Sequence, residues 1–192
     1  MSLRLSGGRR LQSPPGLKAR PTPSRVRLAV MNLLASRLEG CAWLDLFSGS
    51  GVMACEALQH GAARVVAVER DRRNALVVRA NLDAVAAGLA ASELRVHPCE
   101  VLGWLRSGWP VRGEKPFDLI YADPPYSAGL HRPVADAVAH GEWLSPGGLL
   151  LLECATSSVP PTPDGWHLSD QRRYGTSTVL LLEQGTGTVM KQ

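Results

Sequence analysis

The sequence predicts an α/β fold built on a seven-stranded, mostly parallel sheet that closes with an antiparallel edge hairpin. From residue 42 onward, short apolar strands alternate with amphipathic helices, a pattern typical of right-handed crossovers between parallel strands. A glycine-rich turn follows the first of these strands, and no helix separates the last two. These observations predict the fold class, and the chain before residue 42 is expected to form a short basic extension.

The composition is that of a globular protein and excludes several classes. The 192 residues are 45% hydrophobic and 20% charged, which excludes wholesale disorder. The longest apolar run, residues 147–152, is too short for a membrane helix, and the N-terminus has no apolar signal-peptide core. Four scattered cysteines form no CxxC pair, so neither a disulfide framework nor a metal site is expected. We therefore predict a cytoplasmic protein without a metal.

Positive charge is concentrated at the N-terminus. Residues 1–40 carry eight arginine and lysine residues and one acid, a net charge of +7, whereas the remaining residues have a net charge of −3. A basic arm on a mildly acidic body indicates a polyanionic partner, nucleic acid first, with a solvated basic tail as the alternative. We predict a basic arm and helix at residues 1–40 and an α/β domain at residues 41–192.

The first elements follow from turn and capping residues. Four prolines break the first 23 residues, which are predicted to be irregular with at most a short hairpin. Thr22 or Ser24 can cap a helix that extends to about Arg37 and ends before Gly40. The first strand is predicted at residues 42–47, and a helix is predicted from the glycine turn to about residue 60.

The remaining elements are predicted from the alternation of strand-like and helix-like hydrophobic patterns. Compact apolar runs predict strands, and runs of helical period bounded by a capping residue or glycine predict helices. The predicted strands are residues 64–69, 94–98, 117–122, 148–153, 166–173 and 176–183. The predicted helices are residues 71–87, 100–106 and 130–140.

The first chemical motif is the stretch from Asp45 to Gly51, DLFSGSG, where a buried strand enters the glycine turn. Gly49 and Gly51 allow the backbone to approach a ligand, and Glu69 lies 20 residues after Gly49, where an acid can bind a ribose hydroxyl. This pattern fits NAD as well as S-adenosylmethionine, and a purely structural turn is also possible. Asp45 favours a cationic amino-acid ligand, because a pyrophosphate would be repelled by a carboxylate there.

The second motif is Asp123-Pro124-Pro125-Tyr126, at the end of the predicted fourth strand. The two prolines fix the backbone and remove two N–H donors, which leaves the Asp123 side chain and a nearby carbonyl as acceptors. Acceptors beside an aromatic ring suit a flat group with an exocyclic amine, such as a nucleobase. If the first strand is central, this motif lies beside the glycine turn, where open α/β sheets bind ligands.

Together the motifs resemble those of class I S-adenosylmethionine-dependent amino-methyltransferases, which have a Rossmann-like fold. More narrowly, the sequence is similar to the RsmD family, which methylates N2 of a guanine in bacterial 16S ribosomal RNA. The resemblance covers nearly the whole chain and makes residues 41–192 the methyltransferase domain. The matching segments are RLSGG from Arg4, RPT from Arg20, RVR from Arg25, DLFSGSG, EALQHGA from Glu56, and DPPY.

The resemblance implies roles for individual residues. Asp123 and the Pro124 carbonyl would accept from the target amine, Pro125 would hold the turn rigid, and Tyr126 would stack on the base. Cofactor-binding residues would be Asp45, Phe47, Gly49, Ser50, Gly51, Glu69, Arg70, Cys99 and Glu100, the last two near the adenine. RNA-binding residues would be Arg4, Arg9, Arg10, Arg20, Arg25 and Arg27.

The implied partner is 16S ribosomal RNA in the small subunit or its assembly intermediate, and the protein is expected to act as a monomer. Three other hypotheses remain open. DPPY also occurs in DNA adenine-N6 methyltransferases, although we expect no separate recognition domain here and the RPT…RVR arm argues against this hypothesis. The glycine pattern with Glu69 is also compatible with an NAD-dependent oxidoreductase. The basic arm is also compatible with a non-catalytic RNA-binding protein.

Overall fold

A computed structural model describes residues 3–14, 23–89, 92–107, 115–125 and 128–185. The strands are β1 Ala42–Leu46, β2 Arg64–Val68, β3 Glu93–His97, β4 Phe117–Ala122, β5 Leu144–Ala155, β6 Trp166–Tyr174 and β7 Ser177–Gln184. The helices are α1 Ser24–Leu33, α2 Ala35–Leu38, α3 Val52–Gln59, α4 Arg72–Ala86, α5 Val101–Arg106 and α6 His131–His140.

The seven strands form one sheet in the order β3-β2-β1-β4-β5-β7-β6. The first five strands are parallel, and β7 pairs antiparallel with both β5 and β6. This confirms the predicted mostly parallel sheet with an antiparallel edge hairpin. The strand order reverses between β1 and β4, and ligands of open α/β sheets bind at the carboxyl ends of the strands at such a reversal.

Helices cover both faces of the sheet, because successive strand residues point to opposite sides. Trp43 belongs to the core cluster that β1 shares with α1, α3 and α4, whereas its neighbour Leu44 belongs to the cluster shared with α5 and α6. Both side chains are fully buried. Because both faces of the sheet are buried, its strands are apolar along most of their length, as the sequence shows.

The N-terminal segment packs onto the first of these clusters. An antiparallel bridge joins Arg4 to Arg10 around a turn, so the optional short hairpin of the prediction is present. Leu3, Leu5 and Leu11 are buried in the same cluster as the residues of β1 and α3. The N-terminal segment therefore shares a hydrophobic core with the sheet.

Two predicted elements differ in extent. The helix predicted to end at Arg37 is interrupted at Leu34, whose φ of −97° and ψ of 5° separate α1 from the short α2. The fifth strand begins four residues earlier than predicted, because Phe117 of β4 pairs with Leu144 across an irregularity that absorbs the Pro-Gly-Gly sequence. No helix in the described part of the chain is long and apolar enough to cross a membrane.

Candidate active site

The residues of both motifs meet where β1 lies beside β4. Asp45 of β1 pairs in register with Tyr121 of β4, and Leu46 pairs with Ala122. The glycine turn and Asp123 therefore leave the sheet at the same edge, from neighbouring strands. This is the adjacency predicted for a central first strand.

The turn between β1 and α3 has an unusual backbone. Phe47, Gly49 and Gly51 have φ values of 61°, 56° and 73°, in the left-handed region. A Cβ on Gly51 would lie 2.8 Å from Val78 Cγ1 of α4, so close helix packing requires glycine here. A Cβ on Gly49 would meet only Phe47 O, at 3.9 Å, so the space above this part of the turn is open. The strained conformation at Phe47 is of the kind found at functional sites.

Asp45 is a buried acid beneath this turn. Its side chain is 2% exposed and accepts a hydrogen bond from Ala54 N, at 3.1 Å, in the first turn of α3. Burial raises the pKa of Asp45 to about 7, and the negative charge of Glu69 adds to this effect. A cationic group bound beside Asp45 would compensate the buried negative charge, which fits the ammonium group of an amino-acid ligand.

Glu69 connects the end of β2 to the glycine turn. Its Oε2 accepts from Gly49 N at 2.8 Å, and its Oε1 accepts from Asp71 N at 2.9 Å. Each carboxylate oxygen can accept a further hydrogen bond, which suits the predicted contact with ribose hydroxyls. Arg70 is exposed beside it, and Ser50 is buried in the turn.

The predicted adenine-side residues lie after β3. Cys99 is half-buried, and burial raises the pKa of its thiol. Glu100 caps the N-terminus of α5, where its carboxylate accepts from Leu102 N at 2.9 Å and from Gly103 N at 2.6 Å. The structure thus gives Glu100 a local capping role, and its predicted cofactor contact stays a prediction.

Asp123 directly follows β4 and is half-buried. Burial raises the pKa of Asp123 to about 8, with further contributions from the negative charges of Glu153 and Asp45. Pro124 is buried and Pro125 is exposed. Tyr126 lies outside the described residues. Asp123 therefore holds a proton more readily than an ordinary carboxyl group, and a bound cation would favour its release.

A pair of buried polar residues next to this site was not predicted. The Tyr121 hydroxyl donates a hydrogen bond to Glu153 Oε2, and both side chains are only 1% exposed. The sequence carries a signal for Glu153, because an acid ends the apolar run of β5. That signal indicates a buried charge at Glu153, but it does not indicate that Tyr121 is its hydrogen-bond partner.

One predicted RNA-binding residue requires correction. Arg27 is 5% exposed, and its Nε lies 3.3 Å from Glu56 Oε1 in a buried ion pair. Glu56 also accepts from Ser6 N at 2.9 Å and Ser6 Oγ at 2.6 Å, and Arg27 donates to Arg4 O at 2.6 Å. Arg27 therefore holds the N-terminal hairpin against α3 and cannot contact RNA at the surface.

The other predicted basic residues lie at the surface where they are described. Arg4, Arg9, Arg10 and Arg25 are exposed. Arg9 donates to Ala84 O of α4, so the arm also contacts that helix. Arg20 lies outside the described residues. Four of the predicted arginines in the described part of the chain are therefore exposed.

Asn81 of α4 is a second unpredicted connection between the arm and the site. Its Nδ2 donates to Ser50 O and to Gln12 O, each at 3.0 Å, and its Oδ1 accepts from Gln12 N at 2.8 Å. The side chain is 2% exposed, and its hydrogen bond to Ser50 O is shielded from water. The glycine turn is thus tied directly to the N-terminal segment.

Comparison with known proteins places this arrangement among methyltransferases. A family profile described as "Conserved hypothetical protein 95" matches residues 5–183. Ribosomal RNA small subunit methyltransferase D of Escherichia coli strain K12 is 30% identical over 169 residues, which cover 88% of this chain and 81% of that protein.

Solved structures show the same fold. The structure of yhhF from Escherichia coli superimposes with a TM-score of 0.79 at 28% identity and covers 97% of this chain and all of that one. A chain solved in complex with SAH is 17% identical and has a TM-score of 0.62, covering 83% of this chain and 48% of that chain. The sheet is therefore the Rossmann-like sheet of S-adenosylmethionine-dependent methyltransferases.

Proposed function

The chain belongs to the conserved hypothetical protein 95 family, the RsmD family of ribosomal RNA methyltransferases, and we propose that it methylates the N2 amine of a guanine in 16S ribosomal RNA. The methyl donor in this proposal is S-adenosylmethionine. The observation that carries it is the position of Asp123 directly after β4, beside the glycine turn that follows Asp45 of the neighbouring strand β1. An acceptor for an amine thus faces a site suited to a cationic amino-acid cofactor.

The residues around the turn fit the cofactor. S-adenosylmethionine supplies a methyl group on a positively charged sulfur, which acts as the electrophile. Asp45 would bind the ammonium group, the glycine turn, which is open at Gly49, would hold the methionine portion, and Glu69 would hold the ribose. The raised pKa of Asp45 supports this assignment, because a buried carboxylate without a bound cation is unfavourable.

The DPPY turn would prepare the target amine for attack. The lone pair of the guanine N2 nitrogen is delocalised into the ring, so the amine is a poor nucleophile. Hydrogen bonds from its two N–H groups to the Asp123 carboxylate and the Pro124 carbonyl would draw the nitrogen toward tetrahedral geometry. The lone pair would then point at the methyl carbon, and positioning and electrostatics would accelerate the reaction.

The base must leave its stack to reach this edge of the sheet. Arg4, Arg9, Arg10 and Arg25 are exposed and would supply salt-dependent contacts with phosphates. Such contacts carry little sequence information, so RNA shape would select the substrate. We propose the small subunit or its assembly intermediate as the substrate and a cytoplasmic monomer without a metal as the active form.

The test is transfer of a labelled methyl group from S-adenosylmethionine to small subunits from a strain that lacks this modification, to naked 16S RNA and to duplex DNA. We expect label in the RNA, recovered as N2-methylguanosine. Asp123→Ala should lower the rate by several powers of ten, because it removes an acceptor used in the chemical step. Asp83→Ala, a control on the exposed face of α4, should not lower it.

Other outcomes would overturn the proposal. Label in DNA alone would favour the adenine-N6 reaction. Thermal stabilisation by NAD and not by S-adenosylmethionine would favour the oxidoreductase. Stabilisation by S-adenosylmethionine without transfer to any of the three substrates would favour a non-catalytic RNA-binding protein.

A further inference from the structure

Four polar side chains share one face of three adjacent strands at the candidate site. Asp45 and Tyr121 pair across β1 and β4, and Ala122 pairs with Leu152 of β5. The next residues along these two strands are Asp123 and Glu153, so the two acids are neighbours across parallel strands. Because side chains alternate along a strand and Tyr121 pairs with Leu151, Tyr121 and Glu153 point to the same side of the sheet. Asp123 directly follows β4 and interacts electrostatically with both.

Glu153 is held in place by Tyr121. The phenol hydroxyl donates to Glu153 Oε2, and the pKa of Tyr121 is raised well above its ordinary value by burial and by the nearby acids, Glu153 first. The phenol therefore stays protonated and remains a donor. Glu153 is also fixed through its backbone, since its carbonyl lies 3.0 Å from His131 Nε2 of α6.

A buried acid is an unfavourable choice for this position on structural grounds alone. Glu153 follows four buried leucines, Leu149 to Leu152, and is itself 1% exposed. Burial of a carboxylate costs free energy unless it is compensated, so an apolar residue would serve packing better. Positions that break the local rule in this way are expected at functional sites.

We propose that Glu153 is a positioning residue for the methyl-transfer reaction, where its carboxylate, fixed by Tyr121, makes the adjacent Asp123 the acceptor of the proton that leaves the target amine. This inference rests on the proposed function. The amine nitrogen forms a bond to the methyl carbon while the carbon–sulfur bond breaks and its electron pair stays on sulfur. The nitrogen then loses its positive charge by giving one proton to the Asp123 carboxylate, which later releases it to solvent.

The electrostatics agree with this role. After burial, the negative charge of Glu153 is the largest cause of the raised pKa of Asp123, ahead of Asp45. A carboxylate with a pKa of about 8 is a far better proton acceptor than an ordinary one near 4. The other titratable groups around this cluster are Tyr121 on β4, Cys154 on β5, His131 on α6, Cys55 on α3 and Glu69 after β2.

The experiment measures the Asp123 titration directly and the reaction separately. The carboxyl carbon of Asp123 is followed by NMR in ¹³C-labelled protein without cofactor, with its signal assigned from Asp123→Asn. We expect a midpoint near 8 in the wild-type protein. In Glu153→Gln, which retains an acceptor for Tyr121, we expect the midpoint to fall by about one unit or more.

The pH profile of single-turnover methyl transfer is measured on the same proteins. The rate should rise as Asp123 loses its proton, and Glu153→Gln should move this rise to lower pH and reduce the plateau several-fold. Glu183→Gln, at an exposed position of β7, should change neither the NMR midpoint nor the profile. Tyr121→Phe should shift the Asp123 midpoint in the same direction, because a Glu153 carboxylate that the phenol no longer fixes is held less closely against Asp123.

The outcomes separate this inference from the proposed function. An active wild-type protein whose Asp123 midpoint is unchanged in both Glu153→Gln and Tyr121→Phe would overturn the inference. A shifted midpoint with an unchanged rate profile would also overturn it, since the coupling would then have no role in the reaction. A wild-type protein that transfers no methyl group while the midpoint still shifts would show that the proposed function has failed.

Discussion

Replacement of Asp45 by asparagine should stabilise the cofactor-free protein at neutral and alkaline pH. Burial raises the pKa of Asp45 from 3.8 to about 7, so the folded protein binds more protons than the unfolded chain between these pH values. Stability therefore falls as pH rises through this window, and the full cost is present above pH 7. At about 1.4 kcal/mol per pKa unit, the cost is about 4 kcal/mol.

Asparagine keeps the shape of the side chain and the acceptor for Ala54 N but carries no charge. At pH 8 we expect Asp45→Asn to increase the free energy of unfolding by roughly 2–4 kcal/mol, which corresponds to a rise in Tm of roughly 5–15 °C. Toward pH 4 the difference should disappear, because the wild-type carboxyl group is then protonated when folded. The same variant should bind S-adenosylmethionine much more weakly, since the ammonium group loses its counter-ion.

Urea denaturation of the cofactor-free protein from pH 4 to 8.5 measures the effect, and calorimetry measures cofactor binding. Asp83→Asn is the matched control, because Asp83 is 60% exposed and its carboxylate stays solvated in both states. If Asp45→Asn and the wild-type protein show the same dependence of stability on pH, the electrostatic reasoning about this site is wrong.

Four further substitutions test how the turn and the arm are held. Arg27→Met should lower the free energy of unfolding, measured by urea denaturation, by roughly 3 kcal/mol, because it leaves Glu56 buried without its cation. A decrease below about 1 kcal/mol would contradict this. Gly51→Ala should destabilise by about 2 kcal/mol and Gly8→Ala by about 1 kcal/mol, since both have positive φ but only the first would clash; equal costs would refute the packing argument. Asn81→Leu should cost about 2 kcal/mol and weaken S-adenosylmethionine binding, and an unchanged cofactor affinity would show that the turn does not depend on this amide.

Most of the fold could be predicted because its signals are local. Strand β4 lies at the predicted residues 117–122, and the glycine turn between β1 and α3 occurs where the sequence places two glycines. The hydrophobic period, the capping residues and the prolines determine the structure of a few neighbouring residues, so a short stretch of sequence is enough to recognise their effect. The split of the first helix at Leu34 was not predictable in this way, because no glycine or proline lies between residues 24 and 38 to mark it.

The order of the elements, the two motifs and the acids that they contain follow from the amino-acid sequence alone. Which distant side chains meet depends on the packing of the folded chain. Arg27 looks like a surface charge in the sequence but is buried because Glu56 of α3 lies opposite it. Glu153 adjoins Asp123 only through the register of β4 and β5, and that register arises from packing between strands far apart in the chain.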